Sequence, residues 1–174
     1  MFAQSLVRSW DRARQSLIAE LDQVPADKFD FRSTPETRSV AEIVRHILEA
    51  QKVFVAEICR PDKDMDRQAV FGAIKQYAAK IAHIGDKEGL IALLKDTMKS
   101  AAETITSLGD DGLREEKTQM DGQRVPRFEM LNFMIGHEMY HCGQVAVYER
   151  LIGIEPALTG RFKKAVAAME QKQS

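Results

Sequence analysis

The chain has 174 residues, 44% hydrophobic and 29% charged, with 25 basic side chains against 26 acidic ones for a net charge of −1. That length suits one domain, residues 1–174, with a core large enough to hold without disulfides, and the balanced charge argues against nucleic-acid or membrane binding through bulk electrostatics. Cys59 and Cys142 form neither a CxxC pair nor a disulfide framework. The N-terminal stretch becomes polar too soon for a secretory signal and no apolar run is long enough to span a bilayer, so a cytoplasmic location is expected.

Leu6, Trp10, Ala13, Leu17, Leu21 and Val24 recur at helical spacing and predict a first helix from about Phe2 to Leu21. Arg8, Asp11, Arg12, Gln15 and Glu20 are assigned to its other faces, and Pro25 stops it. The segment from Val24 to Arg38, with Pro25 and Pro35, reads as a connection. Ser39 and Glu42 then form a capping box for a second helix that runs to about Arg60 and is ended by Pro61. Its apolar face carries Val40, Ile43, Val44, Ile47, Ala50, Phe54 and Ile58, with His46 on the flank.

A polar loop beginning at Pro61 leads to a short accessory helix between Ala69 and Ile84; His83 belongs to this region, just before a break at Gly85, and is expected to be a surface or loop histidine. Asp86 caps a third long helix from about Lys87 to Leu108, with Gly109 as its stop. Asp121-Gly122 between short extended flanks predicts a hairpin turn. Pro126 opens the fourth long helix, Phe128 to Gly153; a loop from Ile154 to Gly160 and a short terminal helix from Arg161 to Lys172 complete the chain, its last residues fraying. Arg161, Lys163 and Lys164 make a small basic cluster read as a solvated face. Four long amphipathic segments predict an all-α four-helix bundle.

The fourth helix carries the chemistry. His137 and His141 are four residues apart, on one helical face, within a stripe that also holds Met130, Met134, Val145 and Tyr148. Facing helices in a bundle lie about 8–10 Å apart, so an imidazole from a second helix can meet this pair. The spacing permits a three-histidine centre of His46, His137 and His141. The competing reading is a core in which the histidines bond backbone groups or Tyr140. Met130, Met134 and Met139 are taken as core fillers, and Cys142, rotated about 100° from the histidine face, as a packed small side chain. Gln144 is placed to touch the histidines from behind or to contact substrate; Glu42 and Glu49 flank His46 and are candidates to orient it or to act as a base.

The stretch HEMYHCGQVAVYERLIGIEP, with a lone histidine earlier in SVAEIVRHI, resembles the DinB-like superfamily of metal-binding helical bundles. The shared pattern is His137 and His141, then Gly143-Gln144, then Tyr148 and Gly153, with His46 matching the family's first histidine. The resemblance implies an up-down-down-up bundle, a divalent metal on the three histidines, and a homodimer. It also implies either a transferase or isomerase using a low-molecular-weight thiol, or a metal-dependent hydrolase. Cys142 stands where the family often has a basic residue, which leaves the ligand set intact. Three neutral imidazoles suit Zn²⁺ or Ni²⁺, with Fe²⁺ and Cu²⁺ also compatible, and they leave coordination positions open. The first reading is a metal-dependent thiol transferase acting on a small molecule, the second a metal-dependent hydrolase. A non-catalytic metal-binding or dimerisation module is the third.

Overall fold

The computed structural model describes residues 2–60 and 64–171. Its elements are α1 (Phe2–Gln23), a 3-10 turn (Ala26–Lys28), α2 (Val40–Cys59), α3 (Arg67–Ile81), α4 (Lys87–Arg114), β1 (Glu116–Thr118), β2 (Arg124–Pro126), α5 (Arg127–Leu151) and α6 (Ala157–Glu170). Four long helices, α1, α2, α4 and α5, form the bundle; α3 is the accessory helix and α6 the terminal one. The expected stop at Pro61, the start of the loop there, and the fraying tail from Lys172 lie outside the described residues.

Which way each helix runs follows from how its residues divide between two apolar clusters. One cluster holds Leu17 and Leu21 of α1, Val40 to Leu48 of α2, Leu90 to Leu94 of α4, and Val145 and Tyr148 of α5. The other holds Leu6 and Trp10, Val53 to Ile58, Met98 to Ile105, and Met130 to Met134. Thus α1 and α5 run one way and α2 and α4 the other, the up-down-down-up order. Extensive packing runs around a square: α1 on α4 and α5, α2 on α4 and α5, with α3 laid on α2.

Between the two clusters lies a buried polar layer. The Arg14 guanidinium donates to both oxygens of Glu138 at 2.5 and 3.0 Å, to Thr97 Oγ1 at 3.2 Å, and to Leu94 O and Gln51 Oε1. Trp10 Nε1 donates to Glu138 at 2.7 Å. Arg14 is 0% and Glu138 1% exposed, so the pair survives only because nearly every charge is matched by a hydrogen bond. All four bundle helices contribute to this layer.

Some boundaries match the sequence expectation, and the departures trace to particular contacts. The Ser39–Glu42 capping box forms in both directions. At its other end α2 stops at Cys59, where the buried Lys117 of β1 donates to Glu57 O and to Arg60 O at 3.0 Å, satisfying carbonyls the helix leaves open. Gly109 does not end α4: with φ +72° it kinks the chain, which re-enters helix to Arg114. The next residue, Asp110, accepts from Phe2 N at 3.0 Å and Ala3 N at 2.8 Å, so it caps α1 from the far end of the bundle. The terminal helix begins at Ala157, not Arg161, because Glu20 accepts from Ala157 N at 2.5 Å and Leu158 N at 3.1 Å. Glu20 is therefore buried beside Glu149, although it lies off the apolar stripe of α1. Met139 is also misassigned as core: it is 43% exposed, while Met130 and Met134 are buried. The hairpin forms at Asp121-Gly122, with Gly122 at φ +85° and Lys117 opposite Val125.

Candidate metal centre

The capping box fixes the register of α2, and two turns in, His46 reaches the α2–α5 seam. There it meets His137 and His141 of α5. His137 Nε2 lies 3.1 Å from His46 Nε2 and 3.2 Å from His141 Nε2. His46 and His137 are partly buried and His141 buried. His83 stays apart, exposed in the turn after α3. Tyr140, the alternative partner, offers only an edge-on ring contact to His141 at 5.2 Å.

Three ring nitrogens this close repel one another as lone pairs, and a single ring proton cannot bridge both contacts linearly. A divalent ion about 2.0–2.1 Å from each nitrogen requires separations of roughly 2.9–3.4 Å, between octahedral and tetrahedral angles. The two separations from His137 fall inside that range, and the three donor atoms all lie within 4.8 Å of one another. The protonation state fits too. Burial, with the Arg38 charge and the neighbouring histidines adding, pulls His46 down to about 4. Burial and then His141 pull His137 down to about 4, and burial also lowers His141. Neutral imidazoles, the form that binds metal, are thus the resting state at neutral pH.

Gln144 sets the direction of one ring. Its Oε1 sits 2.7 Å from His141 Nδ1, so Nδ1–H donates and the lone pair is left on Nε2, which faces the other two histidines. Tyr148 holds the wall of the site: its hydroxyl donates to Arg38 O at 2.8 Å and its ring meets Phe31 edge-on at 5.6 Å. Glu42 is committed to the capping box and to Arg32. Glu49 remains available: it lines a cavity of about 380 Å³ with His46, Arg38 and Arg45. Partial burial raises its carboxyl above the usual glutamate range. A neighbouring cavity of about 500 Å³ is lined by Arg38, Gln144 and Tyr148. A cavity of about 520 Å³ lies between α1 and α4 on the opposite side of the bundle, and no histidine lines it.

Neither cysteine can serve as a nucleophile. Cys142 is buried and burial, then the carboxylates of Glu20, Glu138 and Glu149, push its thiol up to about 12. Cys59 is buried and pushed up to about 11. The residues sequence reasoning missed are Arg14 and Glu138, whose layer underlies the site, and Arg38, which faces it. The signal for the first two was there: Arg14 follows Trp10 by four, and Glu138 follows Met134 by four.

Among the described residues, no helix is long and apolar enough to cross a membrane. None of the curated proteins compared with the chain matches it. Solved structures do resemble it. YfiT from Bacillus subtilis, described as "a probable metal-dependent hydrolase with an unusual four-helix bundle topology", is 13% identical with a TM-score of 0.68, covering 88% of this chain and 89% of that one. A DinB-like protein from Bacillus subtilis is 19% identical with a TM-score of 0.65, covering 86% and 92%. A mycothiol-dependent maleylpyruvate isomerase is 13% identical with a TM-score of 0.64, covering 82% of this chain but only 60% of the isomerase. At these identities the likeness speaks for the fold. The model of the DinB superfamily matches residues 9–145, well over half of the sequence, and the chain belongs to that superfamily.

Proposed function

We propose that His46, His137 and His141 hold one divalent metal ion, Zn²⁺ or Ni²⁺ in the first instance, and that the protein is a metal-dependent transferase using a low-molecular-weight thiol. The observation that carries the reading is the convergence of three neutral imidazole nitrogens at 3.1 and 3.2 Å beside an open polar cavity. A metal held there would acidify a bound thiol or water and polarise an electrophile. The chain's own residues do the rest. Gln144 keeps His141 in the tautomer that presents Nε2. Glu49, its carboxyl raised, is placed to accept or return a proton in the cavity. Arg38 and Arg45 supply positive charge for a carboxylate on thiol or substrate. Because both cysteines are buried, the sulfur must arrive with a co-substrate.

A second reading, a metal-dependent hydrolase, is favoured by one observation: the likeness to YfiT spans 89% of that protein, whereas the isomerase is covered only to 60%. Consumption of a thiol together with an electrophile supports the transferase; acid release from esters or amides without thiol supports the hydrolase. Metal binding with neither activity leaves a binding module. A cytoplasmic homodimer completes the proposal. Phe133, Tyr140, Val147 and Leu151 recur at heptad-like spacing on the outer face of α5 and stay exposed, a self-complementary surface for a second copy. Sedimentation of the purified chain as a monomer at micromolar concentration would remove that part.

A further inference from the structure

The α2–α5 seam continues past the histidines into a cavity of about 250 Å³ near the hairpin, lined by Phe54, Ile58, Met65, Met120, Met130 and Met134. Phe133, 71% exposed, stands at its rim. The cavity and the histidines lie along the same α2–α5 seam. On α5, Met130, Met134 and His137 fall within about 60° of one another; on α2, Phe54 and Ile58 lie about two and three turns beyond His46, turned about 80° and 120° round the helix. Because α2 and α5 are antiparallel, both series lead the same way from the histidines, and the lining begins roughly 5 Å and ends roughly 18 Å away along the axes. The polar cavity of Arg38, Glu42 and Arg45 lies on the other side of His46, with Glu49 one turn toward the apolar end. The histidines therefore border the polar compartment and lie about one turn from the apolar one.

Resting on the metal-site reading above, we infer that this apolar cavity is the specificity pocket of the site, and that the substrate is an amphiphile whose alkyl or aryl arm lies there while its reacting group is at the histidines. Four of the chain's eight methionines line it. Unbranched thioether side chains adapt to their occupant, so the pocket selects for an apolar arm in general and not for one shape.

The experiment is calorimetric titration of Zn²⁺-loaded protein with hydroxamates of rising chain length, from acetohydroxamate to octanohydroxamate, alongside Met120→Lys. Affinity should rise about fourfold for each methylene that enters the pocket. In Met120→Lys, octanohydroxamate should fall to the level that acetohydroxamate reaches in the unaltered protein. Helical circular dichroism checks that this partly exposed hairpin position leaves the fold intact. A metal-independent arm adds 1-octanol to His46→Ala protein and follows the methionine methyl signals by NMR; those of Met120, Met130 and Met134 should shift. If acetohydroxamate does not bind but the methyl signals shift, the metal reading fails and the pocket stands. If acetohydroxamate binds and chain length brings no gain, or if Met120→Lys leaves the gain intact, the inference is overturned. Unmoved methyl signals overturn it as well.

Discussion

Arg14→Met probes the layer on which the four helices are centred. The side chain is 0% exposed, and among the described residues removing it strips Glu138 of its charged partner, leaving a carboxylate 1% exposed with Trp10 Nε1 as the donor that remains. It also removes the donor to Gln51 Oε1 and one to Thr97. Breaking a buried ion pair from one side costs about 3–5 kcal/mol, because the surviving charge stays desolvated. For a chain of this length each kcal/mol lowers the melting midpoint by about 2–4 °C, so a fall of roughly 6–20 °C is expected. Replacing both charges, as in Arg14→Met with Glu138→Leu, takes away the stranded carboxylate but leaves Trp10 Nε1 and Gln51 Oε1 short of partners, while Thr97 keeps its bonds to Leu93 O and Leu94 O. The double variant should therefore cost less than Arg14→Met alone, about 1–3 kcal/mol. Urea unfolding followed by circular dichroism measures the unaltered protein, Arg14→Met, Glu138→Leu and the double variant, the four members of the cycle. A single-variant cost below about 1 kcal/mol, or costs that simply add, would refute the view that the pair acts as one unit.

Glu149 is 0% exposed, and burial, with the Glu20 carboxylate beside it, pushes its carboxyl up to about 8. Its oxygens lack a donor unless it carries the proton itself, which then points to Glu20. With the folded value above the unfolded one, the stabilisation is complete below about 4.5 and is lost as pH rises through about 8. The three histidines, lowered in the fold, contribute in the opposite sense between about 4 and 6.5, so the test is a difference: the stability of the unaltered protein relative to Glu149→Gln should fall between pH 5 and pH 8. Asp110 is held well below the usual aspartate range by the backbone N–H groups of Ala3 and Phe2. Its capping contribution is present above the ordinary aspartate value and lost as pH falls below it, so Asp110→Ala should lower the melting midpoint at pH 7 by an amount that shrinks in acid. Gln144→Ala frees the His141 ring and should weaken metal binding about 10–100-fold in chelator competition, with the fold unchanged; an unaltered affinity would mean that Gln144 does not orient the ring.

Local signals carried much of the fold. Helical periodicity, the Ser39–Glu42 box, the Asp86 cap and the Asp121-Gly122 turn all act within a few residues of themselves, so they were legible. The histidine cluster was legible for the same reason on α5, where i and i+4 share a face, and the match to the family pattern added His46. What failed depended on partners distant in sequence. The start of α6 is set by Glu20, 137 residues from Ala157, and the chain beyond Gly109 is used to cap α1, 107 residues from Ala3. Glu20 lies off the apolar stripe of α1, and its burial is stable because its carboxylate accepts two backbone N–H groups. Arg14 and Glu138 each hide within an apolar stripe, and only their pairing across the bundle makes that burial stable. Arg38 gave no sequence signal, since a loop held by Tyr148 brings it to the histidines.

The central claim is tested most directly by elemental mass spectrometry of untagged protein, with His46→Ala and His141→Ala measured beside it. The account expects about one divalent metal per chain, lost in both variants, since two imidazoles do not close a site. Protein that holds no metal after incubation with Zn²⁺ or Ni²⁺ would contradict it, and the three histidines would then be packing residues of the α2–α5 seam.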